Sequence, residues 1–203
     1  MNAQPQKLKV VLATRNEHKL EEMAAILGDR YELLSTDSFP GIEEIEETEL
    51  TFGGNALLKA RAVFAHSKLP TLADDSGLEV DALDKAPGIY SARYAGEAGN
   101  HAANNKKLLA ALSNVPNEKR SARFRCAIAL VTDSGEQVVE GAIEGRILQQ
   151  LTGSDGFGYD PLFLPNGYQQ TFAEMPEELK NSISHRALAL KKMQQTLDKT
   201  IAE

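Results

Sequence analysis

The sequence predicts an α/β fold built around a mixed, twisted β-sheet. Strand-like and helix-like segments alternate in the first part of the chain, as they do in α/β proteins. Two strand patterns separated by a short polar turn follow in the middle, which indicates a hairpin. With 203 residues, of which 42% are hydrophobic, the whole chain, residues 1–203, is expected to form one domain.

The first elements are predicted to be a strand, a helix and a second strand. Lys9 to Ala13 is mostly apolar and fits a buried strand, and Asn16 is suited to cap the helix that follows. This helix carries its apolar residues at the spacing i, i+3, i+4, i+7, namely Leu20, Met23, Ala24 and Leu27. Gly28 ends the helix, and Tyr31 to Leu34 forms the second strand.

The next part of the chain predicts a longer helix from Thr51 to about Lys68 and a strand from Thr71 to Ala73. The polar pair Ser76-Gly77 is expected to turn the chain, because such short residues favour turns. Leu78 to Val80 then returns to the sheet. A third helix is expected from Asn100 to Val115.

Strand periodicity dominates the middle of the sequence. Apolar residues alternate from Ala122 to Thr132, and Asp133-Ser134-Gly135 turns the chain into a strand from Gln137 to Ile143. The last helix has one apolar side, formed by Ile183, Ala187, Leu190 and Leu197. Lys180 to Arg186 is placed at the start of this helix, where the positive end of the helix dipole opposes cations and favours a bound anion.

Composition and missing motifs exclude several functions. The net charge of −7 argues against a nucleic-acid duplex as a partner, since such binding needs a basic face. Cys126 is the only cysteine, which rules out an internal disulfide and a cysteine zinc cluster. The longest apolar run, Cys126 to Val131, is too short to cross a bilayer, and the N-terminus has no apolar signal segment. A cytoplasmic protein without a membrane partner is expected. The sequence has neither a Gly-x-x-x-x-Gly-Lys phosphate loop nor a Gly-x-Ser-x-Gly elbow.

The adjacent carboxylates of Asp74 and Asp75 are the strongest chemical signal. Two neighbouring ionised carboxylates repel, so that each raises the pKa of the other. A divalent cation such as Mg²⁺ would remove this penalty, because it binds one or two carboxylates together with phosphate oxygens. An Asx-turn at the end of a strand, with no chemical role, is the alternative.

Besides Lys180 to Arg186, four other polar clusters have residue types suited to a nucleotide. Thr14 to Lys19 joins a strand to a helix start, which suits a phosphate. Glu46 to Thr48 offers metal ligands, and the glycines of Gly156 to Pro161 let a ligand approach the backbone. Asn55 and Lys59 share one helix face. Each cluster also has an ordinary structural interpretation, such as a capped helix, a solvated loop or a glycine-rich turn.

Taken in order, these motifs resemble the inosine/xanthosine triphosphate pyrophosphatase family, the Ham1-like proteins. The resemblance is carried by Ala13–Lys19, Glu46–Thr48, Asn55–Ala60, Ala73–Leu78, Pro87–Tyr94, Gly156–Pro161 and Ser184–Arg186, which together span nearly the whole chain. Arg15 departs from the pattern, because many members have glycine there.

The resemblance implies an elongated fold with two lobes around a central cleft, a homodimer and a Mg²⁺ cofactor. It implies hydrolysis of ITP, dITP and XTP to the monophosphate and pyrophosphate. Glu47 and Asp75 are the implied metal ligands, and Asp75 is the implied proton acceptor. Substrate contacts are implied for Thr14, Arg15, Asn16, Glu17, His18, Lys19, Lys59, Ser76, Phe157, Gly158, Tyr159, Asp160, Lys180, His185 and Arg186.

Recognition of the base follows from its hydrogen-bonding groups. Hypoxanthine and xanthine present an O6 acceptor and an N1–H donor, and adenine reverses both. Arg186 or His185 would donate to O6, Asp160 would accept from N1–H, and Phe157 would stack on the ring. Two alternatives stay open: a catalytically silent nucleotide-binding module, and a pyrophosphatase for modified pyrimidine nucleotides.

Overall fold

A computed structural model describes residues 7 to 202 of the chain, with side chains up to residue 199. Residues 1 to 6, on which the expectation about an N-terminal signal depends, lie outside this range. The six strands of the described part, β1 to β6, are Leu8–Leu12, Tyr31–Ser35, Thr71–Val80, Ser121–Thr132, Gly135–Ile147 and Phe163–Pro165. Its five α-helices, α1 to α5, are Glu17–Leu27, Phe52–Ser67, His101–Ala111, Glu177–Ile183 and His185–Ala202.

The strands form one mixed sheet in the order β2-β1-β3-β4-β5-β6. β1 runs parallel to β2, with Leu8 opposite Tyr31, and parallel to β3, with Val11 opposite Thr71. β6 is antiparallel to β5, with Phe163 opposite Ile147. The α/β prediction with a mixed sheet is therefore confirmed.

The described chain divides into two compact units. The first contains the residues up to Asp75, Ala127–Glu140 and the residues from Ala189 onwards, and the second contains Ser76–Cys126 and Gly141–Leu188. Strands β3, β4 and β5 and helix α5 each contribute residues to both units. The core of the second unit is aromatic and aliphatic, and in it Phe124 and Phe163 meet edge to face with ring centroids 4.7 Å apart.

Local sequence signals set the early elements as predicted. The side chain of Asn16 caps α1 by accepting a hydrogen bond from the backbone N–H of Lys19. Gly28 follows the helix with a φ of +63°, which favours glycine. Thr51 caps α2 by accepting from the N–H of Gly54. The β4–β5 hairpin is also confirmed, because the two strands are neighbours joined by a two-residue turn.

The predicted turn at Ser76-Gly77 is wrong. β3 runs without interruption from Thr71 to Val80. Leu78 and Val80 are fully buried in this strand, and the backbone N–H of Leu78 donates to Ser91 Oγ. Burial of these apolar residues outweighs the weak turn preference of Ser76-Gly77, because turn preference is a local effect worth far less than core packing.

The C-terminal helix begins later than predicted, and β6 and α4 are additional elements. α4 ends at Ile183, Ser184 has an extended backbone, and α5 starts at His185. Lys180 therefore lies in the last turn of α4, where the helix dipole favours a cation, and not at a helix start. Of the predicted Lys180–Arg186 cluster, only His185 and Arg186 lie in the first turn of α5. α3 also stops earlier than predicted, at Ala111. Among the described residues, none of the helices has the length and apolar character needed to span a membrane.

Candidate active site

The two carboxylates of β3 are buried, and each has a different polar partner in the first unit. Asp74 is completely buried and Asp75 is 4% exposed. Asp74 Oδ2 lies 3.0 Å from Lys19 Nζ, and Asp75 Oδ2 accepts a hydrogen bond from Asn55 Nδ2 at 3.1 Å. Successive residues of a strand point to opposite faces, which explains why adjacent residues have separate partners.

Lys59 of α2 lies among carboxylates. Its Nζ is 2.7 Å from Glu47 Oε1, and both side chains are mostly buried. Burial by itself lowers the pKa of Lys59, but the charges of Asp75, Asp74 and Glu47 outweigh this and raise the pKa. The group is therefore an ammonium at neutral pH. Lys19, Glu47, Lys59, Asp74 and Asp75 are called the carboxylate–lysine cluster below.

Burial also dominates the ionisation of Asp75. It raises the pKa of this carboxyl, the charge of Lys59 lowers it, and the charge of Glu47 raises it again, with a net upward shift. A carboxylate with a raised pKa holds a proton more readily than a solvated one. Asp75 is therefore a stronger proton acceptor than a solvated aspartate.

Asn55 connects Asp75 to the loop that carries Glu47. Its Oδ1 accepts from the backbone N–H of Glu49 at 2.9 Å, so that Nδ2 is directed to Asp75. Asn55 is fully buried. Asn55 was part of the sequence pattern through its spacing to Lys59, but its action on Asp75 depends on the approach of α2 to β3 and on the position of the loop.

The segment between β1 and α1 is held by its own side chains. Thr14 Oγ1 accepts from the backbone N–H of Asn16 at 3.2 Å, and Arg15 Nη2 donates to the Ile42 carbonyl at 2.6 Å. Arg15, the departure from the family pattern, thus contacts the loop that leads to Glu47. The other two predicted residues of this segment, Glu17 and His18, are exposed in the first turn of α1.

The donor set of this cluster fits a hard divalent cation that is shared with a substrate. Glu47 and Asp75 provide carboxylate oxygens, and they lie close enough for the charge of Glu47 to raise the pKa of Asp75. The described residues contain no group of three or more acidic, histidine or cysteine side chains that would complete a protein-only metal site. Mg²⁺ needs no such site, because it keeps several waters and is typically bound by one or two carboxylates and phosphate oxygens.

The second unit contains a cluster formed around Phe157. Lys180 Nζ lies 4.8 Å from the centroid of the Phe157 ring, and the Arg186 guanidinium carbon lies 5.9 Å from it. Both cations are buried, and Arg186 Nη2 also donates to Ser76 Oγ at 3.1 Å. An aromatic ring can stack on a flat ligand, and the two cations carry N–H groups that can donate to carbonyl oxygens. Phe157, Asp160, Lys180 and Arg186 are called the aromatic–cation cluster below.

Asp160 folds the glycine-rich segment of this cluster. Its Oδ2 accepts from the backbone N–H of Phe157 at 2.9 Å and from Lys180 Nζ at 2.7 Å. A Cβ atom on Gly156 would lie 2.3 Å from Asp160 Oδ2, and the φ of Gly156 is +72°. Glycine at position 156 is thus required both by the backbone conformation and by the close carboxylate.

The remaining predicted residues of the second unit have different positions. Tyr159 is buried, and its hydroxyl donates to the Ser91 carbonyl at 2.9 Å. Gly158 accepts a hydrogen bond on its carbonyl from Asn105. His185 is buried in the core, where its ring stacks on Phe124 with centroids 4.8 Å apart.

Two residues of α3 that the sequence motifs did not indicate also contact this segment. Asn105 Nδ2 donates to the Gly158 carbonyl at 2.9 Å, and the His101 ring lies 6.4 Å from the Phe157 ring. A signal was present in the sequence. Asn105 stands three and seven residues before Leu108 and Leu112, so that a polar residue occupies the apolar face of the helix.

The chain matches the model of the Ham1 family over residues 10 to 196. A Porphyromonas gingivalis protein named dITP/XTP pyrophosphatase is 53% identical over 189 residues, which cover 93% of this chain and 97% of that protein. A protein of the same name from Desulforamulus reducens is 52% identical over 194 residues, covering 95% of this chain and 96% of that protein. The structure of a HAM1 protein from Coxiella burnetii matches with a TM-score of 0.86 at 41% identity, covering 95% and 99% of the two chains.

Proposed function

The chain belongs to the Ham1 family, and from this premise we propose that it hydrolyses the deaminated purine nucleoside triphosphates ITP, dITP and XTP. The products are the nucleoside monophosphate and pyrophosphate. The observation that carries the proposal is an identity above 50%, over nearly the full chain, to two proteins named dITP/XTP pyrophosphatase. The buried carboxylates and lysines of the first unit support it, because they have the chemistry that a phosphate anhydride requires.

The carboxylate–lysine cluster is proposed to bind the triphosphate. Lys59 is an ammonium held in place by Glu47, and Lys19 is held by Asp74. These ion pairs fix the two cations, so that little side-chain entropy is lost when they meet phosphate oxygens. The backbone N–H groups of Glu17 and His18, in the first turn of α1, are proposed to donate to the same anion.

Asp75 is proposed as the acceptor of the proton that the attacking water loses at the α-phosphorus. Its raised pKa improves its basicity, and the hydrogen bond from Asn55 Nδ2 to Oδ2 orients the carboxylate. Glu47 and Asp75 are also proposed to hold Mg²⁺. When bound, this ion would neutralise phosphate charge and assist deprotonation of the water.

The aromatic–cation cluster is proposed to recognise the base. Phe157 stacks on the purine, and Arg186 donates to O6, with His185 as the other candidate donor. Asp160 accepts from N1–H, while its Oδ2 retains Phe157 and Lys180. Adenine would leave these groups unpaired, and unpaired buried polar groups allow discrimination of roughly 10⁴-fold.

A homodimer and a role in clearing deaminated purines from the cytoplasmic nucleotide pool complete the proposal. The dimer is what the resemblance to the Ham1 family implies. Light scattering at micromolar concentration tests it, because a mass near the 22.1 kDa of one chain would contradict a dimer.

Pyrophosphate release tests the proposed activity. The purified protein is incubated with Mg²⁺ and with ITP, XTP, the four standard nucleotides or modified pyrimidine triphosphates. The proposal expects kcat/KM for ITP and XTP to exceed the values for all others. Preference for modified pyrimidines would favour the related pyrophosphatase, and binding of ITP without any turnover would favour a silent nucleotide-binding module.

A further inference from the structure

Helix α3 holds the Gly158–Tyr159 peptide, close to Phe157. Asn105 is 6% exposed, and its Nδ2 donates to the Gly158 carbonyl at 2.9 Å. One turn earlier, the His101 ring lies 6.4 Å from the Phe157 ring. Residues four apart lie on the same face of a helix, so both contacts come from one side of α3.

The adjacent residue of α3 secures the other side of the same segment. Asn104 Nδ2 donates to the Ala92 carbonyl at 3.1 Å and to the Ser91 carbonyl at 3.4 Å. The Ser91 carbonyl also accepts from the Tyr159 hydroxyl at 2.9 Å. Burial raises the pKa of Tyr159, so this hydroxyl stays a donor across the ordinary pH range. Gly158 is thus held by α3 in two ways. Asn105 donates directly to its carbonyl, and Asn104 contacts the Ser91 carbonyl, which also binds the neighbouring Tyr159.

Asn105 carries an energetic cost. Among the described residues, none donates a hydrogen bond to its buried Oδ1. A buried acceptor without a partner costs free energy, and asparagine is also a poor helix former. Leucine would continue the apolar face of Leu108 and Leu112 without either cost, but it has no donor for the Gly158 carbonyl.

We infer that Asn105 is a positioning residue for recognition of the base. It fixes the Gly158 peptide and thereby the Phe157 ring, which lies beside Lys180 and Arg186. The inference rests on the proposed function, because it assigns to Phe157 the stacking contact with the purine. Asn105 acts through the peptide and does not itself touch the substrate, since its Oδ1 is inaccessible and its Nδ2 is directed to the Gly158 carbonyl.

Ligands with and without a base separate this role from a general structural one. The test uses the full chain and the variants Asn105→Leu and Asn105→Ala, with Asn114→Ala as a matched exposed asparagine just beyond α3. Calorimetry measures the binding of IMP and of pyrophosphate, each with Mg²⁺, and ITP turnover gives kcat and KM. Thermal unfolding reports the fold of each variant.

Both Asn105 variants are expected to weaken IMP binding and to raise KM for ITP by about tenfold, the upper range for loss of one hydrogen bond. Pyrophosphate binding and kcat should stay within about twofold of the unmodified chain. Asn105→Leu removes the unpartnered Oδ1 but also the donor to the Gly158 carbonyl, so its melting temperature is expected to stay close to that of the unmodified chain.

Equal weakening of IMP and pyrophosphate, or no weakening of either, would overturn the inference. An Asn114→Ala variant that weakens IMP binding as strongly would overturn it as well. A different result would contradict the proposed function, namely that the unmodified chain releases no pyrophosphate from ITP. The comparison of IMP binding between the unmodified chain and the Asn105 variants would still test the role of Asn105.

Discussion

Replacement of Asp75 by asparagine separates its chemical role from its structural role. The amide has the size of the carboxylate, and its oxygen can still accept the hydrogen bond from Asn55 Nδ2 that spans 3.1 Å. The variant loses one negative charge close to Lys59 and loses the ability to take up a proton. Glu47 remains as the partner of Lys59 at 2.7 Å, so the cation is not left alone.

The expected loss in kcat is about 10²- to 10⁴-fold, which is the usual contribution of a positioned proton acceptor. This corresponds to roughly 2.7–5.4 kcal/mol in the activation barrier. Pyrophosphate release from ITP at saturating substrate measures it. The exposed Asp133 provides a matched control, because Asp133→Asn makes the same chemical change in the turn between β4 and β5. This control should retain full activity.

The same variant has a predictable effect on stability. Burial raises the pKa of Asp75, so the folded state binds its proton more tightly than the unfolded chain does. Ionisation at neutral pH therefore costs stability, and protonation at low pH removes this cost. Asp75→Asn should unfold at neutral pH at the same or a higher urea concentration than the unmodified chain.

The catalytic role of Asp75 would be refuted if the variant retained more than about a tenth of kcat. A tenfold loss corresponds to roughly 1.4 kcal/mol in the activation barrier.

Four further outcomes are expected. Chelation should abolish turnover and added Mg²⁺ should restore it, with activity rising from about pH 6 to pH 10 because the attacking water must lose a proton; full turnover after chelation would exclude a metal role. Asp160→Asn should narrow the ITP-over-ATP ratio of kcat/KM, since an amide can donate to adenine N1, whereas Lys19→Ala should weaken both substrates equally; an equal loss for ITP and ATP in the Asp160 variant would show that it does not contact the base. Gly156→Ala should raise KM for ITP about tenfold and lower the melting temperature, because its Cβ would lie 2.3 Å from Asp160 Oδ2; unchanged values of both would contradict the geometry. Burial and the hydrogen bond to Asp198 raise the pKa of Tyr31 to about 12. The stabilisation from Tyr31 is therefore fully present below the pKa of the unfolded chain and is lost as pH rises through the pKa of the folded state. Tyr31→Phe should lower the free energy of unfolding by about 1 kcal/mol at neutral pH, and its stability in urea should not show this alkaline decrease.

Elements with local signals could be predicted from the amino-acid sequence alone. Asn16 and Gly28 bound α1 through a cap and a positive φ, and both interactions lie within a few residues of the helix. Strand alternation and a short turn similarly set the β4–β5 hairpin. The order of polar motifs along the chain also indicated the family, because it depends on residue identity and not on geometry.

Features that depend on contacts between distant parts of the chain could not be predicted from the sequence and are seen in the folded protein. β3 continues through Ser76-Gly77 because burial of Leu78 overrides a local turn preference. Asp160, predicted as a base contact, also holds Lys180, a residue 20 positions away. Asn105 acquires its role from Gly158, which is 53 positions away. Such pairs leave no periodic trace in the sequence, because the fold and not the spacing brings them within hydrogen-bonding distance.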